Sequence, residues 1–352
     1  MDQLLRSHAE AIVSASIQAV QPDEAVSRAL RGQDFPGRVV LVAAGKAAWQ
    51  MARAAYDCMG EKIEKGVVIT KYGHVMGPIG NLDCREAGHP VPDEGSFTAT
   101  QAALDMVEGL TERDTVLFLL SGGGSALFEK PLIPSEELQE VTGQLLACGA
   151  DIVEMNTLRK RLSAVKGGRF AQACAPARVF SIVLSDILGD PLDMIASGPA
   201  YPDSSTCTQA VAIAKKYQLK LSDRAWVLLE RETPKELTNV TTLITGSVRE
   251  LCAAAGRECE KLGYRPILLT DQLCCEAREA GSFLASILKT HAGGKGSLAF
   301  IAGGEPVVHL IGKGKGGRTQ ELALAAAAGM AGSEGAALFS VGSDGTDGPT
   351  DA

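Results

Sequence analysis

At 352 residues the chain is longer than one hydrophobic core usually supports, so two domains are expected, and 45% hydrophobic with 22% charged residues is a globular composition. A formal net charge of -8 and an aromatic content of 5% argue against nucleic acid, because the charge repels a phosphate backbone and few rings are available for base stacking. Nine scattered cysteines without a CxxC pair suggest neither a disulfide frame nor a zinc site, and no apolar run reaches membrane-spanning length, so a reducing cytoplasm is expected and a membrane is not.

The start, MDQLLRSHAEAIVSAS, is interrupted by Asp2, Arg6, His8 and Glu10, so no signal-peptide core forms. From Val39 onward, short apolar runs alternate with helical patterns. RVVLVAAG (38–45), KGVVITKYG (65–73), TVLFLLSGGG (115–124) and RVFSIVLSD (178–186) read as fully buried strands that end in glycine or aspartate. After Gly45, residues Ala48, Met51, Ala52 and Ala55 share one helical face, and Ser96–Leu110 and Ser135–Cys148 repeat the pattern. This is the β-α-β rhythm of a doubly wound parallel sheet, an α/β fold of Rossmann-like type.

The rhythm pauses at RETPKELTN (231–239), a polar stretch with Pro234 that reads as a linker, so the expected domains are 1–235 and a smaller α/β domain, 236–352. In the second series TTLITGS (241–247), YRPILLT (264–270), SLAFIAGGE (297–305), PVVHLIG (306–312) and AALFSVGSD (336–344) are strand-like. Helices are expected over Val248–Leu262, Cys274–Lys289 and Arg318–Met330. The last strand runs into GSDGTDGPTDA, and because a doubly wound unit continues into a covering helix, this domain is expected to be incomplete at Ala352.

Ligands of open α/β sheets gather beyond the carboxyl ends of the strands, so the residues that follow each apolar run are the candidates. Ser121, Gly122, Gly123, Gly124 and Ser125 lead out of a buried strand, and their backbone N–H groups suit an anion; a plain strand-to-helix turn is the alternative. Lys46 is the only charge in LVAAGKAAW and stands where a helix begins, which calls for an anionic partner unless the side chain snorkels to solvent. Asp186, Asp190 and Asp193 could hold Mg²⁺ or accept a hydroxyl proton, or could form Asx turns and a helix cap; Asp186, nearest the strand, is the preferred functional one.

GKGKGGRT (312–319) approaches the phosphate-loop pattern GxxxxGK[ST] with Arg318 in place of the lysine, and a guanidinium can grip carboxylate or phosphate bidentately. Its lysines, Lys313 and Lys315, fit a solvated basic turn equally well. Arg159, Lys160, Arg161, Lys166 and Arg169 in NTLRKRLSAVKGGRF read as a solvated helix face. His89, followed by Pro90 and Pro92, reads as a turn histidine, and Asp344, Asp347 and Asp351 as turn aspartates whose spacing does not fit an EF-hand.

Seven ordered blocks, GKAAWQMA, GHPVPDEGS, LLSGGGSALFEKP, NTLRKRLSAVKGGR, LSDILGDPLDMIASGP, AGGEPVVHLIGKGKGGRTQELAL and SVGSDGTDGPTDA, resemble the type 2 glycerate kinases, whose C-terminal part is called the MOFRL domain. The resemblance covers nearly the whole chain. It implies a Rossmann-like domain, a smaller MOFRL domain, and a cleft between them where D-glycerate and Mg-ATP give 2-phosphoglycerate and ADP. Carried onto matching positions, it makes Lys46, Asp186, Glu305, Arg318 and Asp344 active-site candidates. The family pattern continues past Ala352 into a TGPTGTNV-like loop.

In the mechanism this suggests, Lys46 stabilises charge on the transferred phosphoryl group and Arg318 binds the glycerate carboxylate or the phosphates. Asp186 orients or deprotonates the 2-hydroxyl, and Ser121–Ser125 cradle phosphate or carboxylate. The expected cofactors are ATP and Mg²⁺; the expected partners are the small substrate and, among proteins, a second copy of the chain. The rival reading is an NAD(P)H-dependent hydroxypyruvate reductase. AAGKAAW lacks GxGxxG, and Lys71 rather than an acidic residue follows the second strand, although Lys71 suits a 2′-phosphate. A third reading is a non-catalytic metabolite-binding protein.

Overall fold

The protein is described by a computed structural model over residues 3–185, 189, 192–294, 296–312, 314–343 and 347–348. In chain order the first elements are α1 (Gln3–Val20), α2 (Pro22–Leu30), β1 (Val39–Ala44), α3 (Ala48–Met59), β2 (Ile63–Lys71), β3 (Asp83–Ala87), α4 (Glu94–Val107) and β4 (Thr115–Leu120). There follow α5 (Gly124–Leu127), α6 (Ser135–Ala147), α7 (Ile152–Leu162), α8 (Arg169–Cys174), β5 (Arg178–Leu184), α9 (Cys207–Lys216), α10 (Asp223–Leu229) and β6 (Val240–Thr245). The last are α11 (Val248–Lys261), β7 (Arg265–Leu273), α12 (Ala277–Thr290), β8 (Leu298–Gly304) and α13 (Arg318–Met330).

The chain forms two units, one of Pro22–Thr245 and one that joins Met1–Gln21 to Gly246–Ala352. The boundary expected at 235/236 therefore moves. Strand β6 pairs in register with β5, Val179 beside Val240 through Leu184 beside Thr245, and so completes the first unit's sheet. Helix α1 packs on α11, which takes the amino terminus into the second unit.

The first unit is built on a six-stranded parallel sheet of order β3-β2-β1-β4-β5-β6. Every residue of β1 is buried, and its period-2 alternation splits the core: Val40, Val42 and Ala44 face α4 and α8, whereas Val39, Leu41 and Ala43 face α2 and α3. On the first of these faces Phe118, Phe128 and Phe170 pack with centroids 4.9–5.5 Å apart, fixing the segment after β4 against α8. Helices α6, α7, α9 and α10 share a separate core, with Leu138, Leu158, Ala210 and Leu228 among its members. Capping boxes at Asp93, Asp151 and Thr206 start α4, α7 and α9.

The chain leaves β1 towards β2 on one side and enters β4 on the other. That reversal of strand order opens a crevice at the carboxyl ends of β1 and β4.

In the second unit β7 and β8 form a two-stranded parallel sheet, and α12 packs on α13 through Ala277, Ala280 and Leu322. Two expected strands are absent among the described residues. In PVVHLIG only Val307 makes an isolated bridge, to Glu276, while Leu310 and Ile311 are 83% and 80% exposed; the described part of AALFSVGSD pairs with no strand. An apolar run becomes a strand only when a ladder partner takes its N–H and C=O groups.

Candidate active site

The two loops at the crevice are laced together by backbone bonds. Lys46 N–H donates to the Gly122 carbonyl at 2.8 Å, Ser121 N–H to the Ala44 carbonyl at 3.0 Å, and Gly45 N–H to the Ile69 carbonyl at 3.1 Å. The Ser121 hydroxyl accepts from Ala47 N–H at 3.1 Å, just ahead of α3, so this serine joins the loops rather than offering a free oxygen to a ligand. Gly124 N–H donates to the Ser121 carbonyl at 3.3 Å. Among the described residues, the N–H groups of Gly122 and Gly123 have no acceptor. The expected five-residue cradle narrows to three amides, the adjacent pair Gly122 and Gly123 and that of Ser125.

Gly123 is left-handed, with φ 85°, and a Cβ on it would lie 3.1 Å from Lys46 Cγ and 3.0 Å from the His89 ring. The exposed Lys46 side chain thus rises beside the free amides, and among the described residues no carboxylate pairs with it. Burial, and then the positive charges of Lys46 and Lys71, hold the His89 imidazole below its ordinary value, so the ring is neutral near pH 7. His89 lies in a bend, as its reading as a turn histidine expects, and that bend brings its ring to the glycine loop. The prolines after it carry no signal of which loop it meets.

At the far end of the loop, the chain Met194–Gly198 turns sharply over Gly124. Ala196 (φ 50°) and Ser197 (φ 61°) are left-handed without being glycine, a strained backbone that persists only when its surroundings fix it. Gly167 N–H and Gly168 N–H donate to the carbonyls of Ser197 and Gly198, and the Ser197 hydroxyl donates to Asn156 Oδ1 at 2.8 Å. Lys166 completes the clamp. Its ammonium donates to the carbonyls of Ser125 at 2.9 Å, Phe128 at 3.2 Å and Ala196 at 3.5 Å, tying the glycine loop to the strained turn, and Glu129 balances its charge at 3.5 Å.

The basic segment is therefore no solvated face. Lys160, Arg161 and Lys166 are only 2%, 0% and 0% exposed. Lys160 pairs with Asp203 at 3.0 Å, Arg161 reaches Asp203 and Glu232 and donates to Ser205, and Arg169 donates to carbonyls of 160 and 161. Asp203, Ser205 and Glu232 lie far along the chain and are invisible to local charge patterning. Asp193, expected as a metal ligand, accepts from Lys160 at 3.4 Å and from Ser204 at 2.6 Å, an arrangement that serves the ion-pair network. Among the described residues no group of three histidine, cysteine or acidic side chains gathers as a metal site. Asp186 and Asp190 lie outside the described residues.

In the second unit, Arg318 opens α13 and donates to Glu305 Oε1 at 2.8 Å, so two of the expected site residues meet in one ion pair. Asp347 accepts from the N–H groups of Thr319 and Gln320, both at 2.9 Å, and so caps α13 in place of a bound anion. Lys313 and Asp344 lie outside the described residues.

Two family profiles match the chain. The profile of a domain of unknown function, DUF4147, matches residues 8–230, and that of the MOFRL family matches residues 298–352. A D-glycerate 2-kinase of Thermotoga maritima is 52% identical over 99% of this chain and 85% of its own length. A crystal structure of glycerate kinase from the same organism superposes with a TM-score of 0.95, covering 99% of this chain and 85% of that one. A protein of Agrobacterium vitis named a putative hydroxypyruvate reductase is 39% identical over 97% of this chain and 80% of its own length.

Proposed function

The chain belongs to the glycerate 2-kinase family that joins a DUF4147 domain to a MOFRL domain, and from that premise we infer that it transfers the γ-phosphoryl group of ATP to the 2-hydroxyl of D-glycerate. The observation that carries this reading is the pair of unpartnered amides, Gly122 and Gly123, beside Lys46 at the switch point of the sheet.

Glycerate is an anion and ATP a stronger one, so their approach needs positive charge and fixed donors. Lys46 draws the transferred phosphoryl oxygens, and the two amides bind oxygens without reorganising. Asp186 accepts the proton of the 2-hydroxyl. The glycerate oxygen then forms its bond to phosphorus as the bond to the bridging oxygen breaks, and ADP leaves with the electron pair. Arg318, held by Glu305, grips an oxyanion, and Asp344 belongs to the same machinery.

Magnesium enters as part of the Mg-ATP substrate, with Asp190 as the carboxylate proposed to face it. Asp193 does not fit that role, because its Oδ2 is already engaged by Lys160 and Ser204. Among the described residues no helix is long and apolar enough to cross a membrane, and the reaction is assigned to the cytoplasm, where ATP is supplied.

An ADP-release assay with D-glycerate, run beside an NAD(P)H absorbance assay with hydroxypyruvate, tests the assignment. ADP and 2-phosphoglycerate formed in equal amounts, without NAD(P)H consumption, is the expected result; NAD(P)H oxidation without ADP would assign the chain to the reductases.

A further inference from the structure

Arg159 differs from the four other cations of its segment. Lys160, Arg161, Lys166 and Arg169 each donate to carboxylates or carbonyls, whereas the half-buried guanidinium of Arg159 makes no hydrogen bond or ion pair among the described residues. A guanidinium partly withdrawn from water with no hydrogen-bonded acceptor is costly, and side chains so placed usually await an anion.

Its surroundings say where that anion would sit. Arg159 lies within electrostatic reach of Glu129 and Lys166, and that lysine in turn holds the Ser125 carbonyl of the glycine loop. One carboxylate there faces two cations, which leaves an excess of positive charge. Glu129 contacts only one of the two: its Oε2 lies 3.5 Å from Lys166, and its Oε1 has no hydrogen-bond partner, so Arg159 is not bonded to it. Lys46 stands at the other end of the same short loop, beside Gly123. The loop thus has Lys46 beside Gly123 and, on the side of Lys166, the unpaired Arg159, an arrangement that suits a small molecule with a reacting group at one end and a fixed negative charge at the other.

We propose that Arg159 binds the carboxylate of the hydroxy-acid substrate, orienting its 2-hydroxyl towards the phosphoryl group held by Lys46 and the Gly122–Gly123 amides. The proposal rests on the glycerate kinase reading. A guanidinium offers two parallel donors to a carboxylate, which fixes orientation as well as affinity.

The full chain is tested as wild type, R159A and R159K, with D-glycerate and ATP varied separately and D-glycerate binding also measured by calorimetry without ATP. R159A should raise KM for D-glycerate at least about 10-fold, the loss expected for a charge-assisted bidentate contact, and leave KM for ATP within about twofold. R159K, which keeps the charge and loses the fork, should fall between. An unchanged glycerate KM with a wild-type melting curve overturns the proposal, as does an increase confined to ATP, which would make the bound group a phosphate. If R159A does not fold, R159K decides, and its wild-type glycerate KM would reject the assignment. The calorimetric arm separates the two readings: a wild-type chain that binds D-glycerate without phosphorylating it sinks the kinase reading, while weaker binding by R159K still supports Arg159.

Discussion

Gly45 and Ser121 approach so closely that a Cβ on Gly45 would lie 2.2 Å from the serine Oγ and 2.5 Å from its carbonyl oxygen. Gly45 also has φ 127°, so both its conformation and its space exclude a side chain. The contact locks the end of β1 to the end of β4 and sets the height of Lys46 over the loop.

Gly45→Ala should therefore destabilise the first unit by roughly 2–4 kcal/mol, from overpacking and positive φ together. Combining it with Ser121→Ala should recover little, because the clash with the Ser121 carbonyl remains. Denaturant melts of the single and double variants check this; full recovery would mean that the hydroxyl alone sets the approach.

Lys166→Met removes a buried ammonium and strands Glu129, for an expected loss of about 3–5 kcal/mol. The double variant K166M/E129Q should regain much of that stability without regaining turnover, since three carbonyls of the glycine loop and the strained turn lose their common donor. Thermal melts and steady-state rates together separate the two effects.

Glu305→Gln tests the second unit. The Arg318–Glu305 pair is partly exposed, so its contribution to stability is about 0–1 kcal/mol and the melting curve should not move. If the carboxylate positions Arg318, kcat or KM should still change about 10-fold or more. A variant with wild-type kinetics would show that Arg318 acts without it.

Much of the first unit was legible in its sequence, because strands buried on both faces must be apolar throughout: β1 and β4 stand out as VVLVAA and TVLFLL. Strand β3, DCREA, did not, being a half-exposed edge of the sheet whose pairing with β2 leaves no apolar run. The glycines after β4 announced the loop, but which amides stay free depended on Ser121 bonding to Ala47. The cations from Arg159 to Arg169 misled because charge density alone resembles a solvated helix; Asp203 and Glu129 become their partners only through the fold. In the second unit PVVHLIG had the composition of a strand without a neighbour to pair with.

Asp114 links the fold to pH. It accepts from Arg38 at 2.8 and 3.0 Å and from Thr111 N–H at 2.7 Å, which hold its carboxyl well below the usual carboxylate range. The folded value lies below the unfolded one, so the stabilisation is complete above about pH 4 and disappears as the pH falls through the folded value. Asp114→Asn should lower Tm by about 3–6 °C at pH 7, and the gap should close progressively in acid. A gap that stays constant down to strongly acid pH would contradict this.

The most direct test of the central claim, that Lys46 and the adjacent amides carry out phosphoryl transfer, is turnover by Lys46→Ala with D-glycerate and ATP at saturation. Lys46 is exposed and bears no packing load, so the variant should melt like the wild type while kcat falls about 100-fold or more. Wild-type turnover by a folded Lys46→Ala protein would contradict the account.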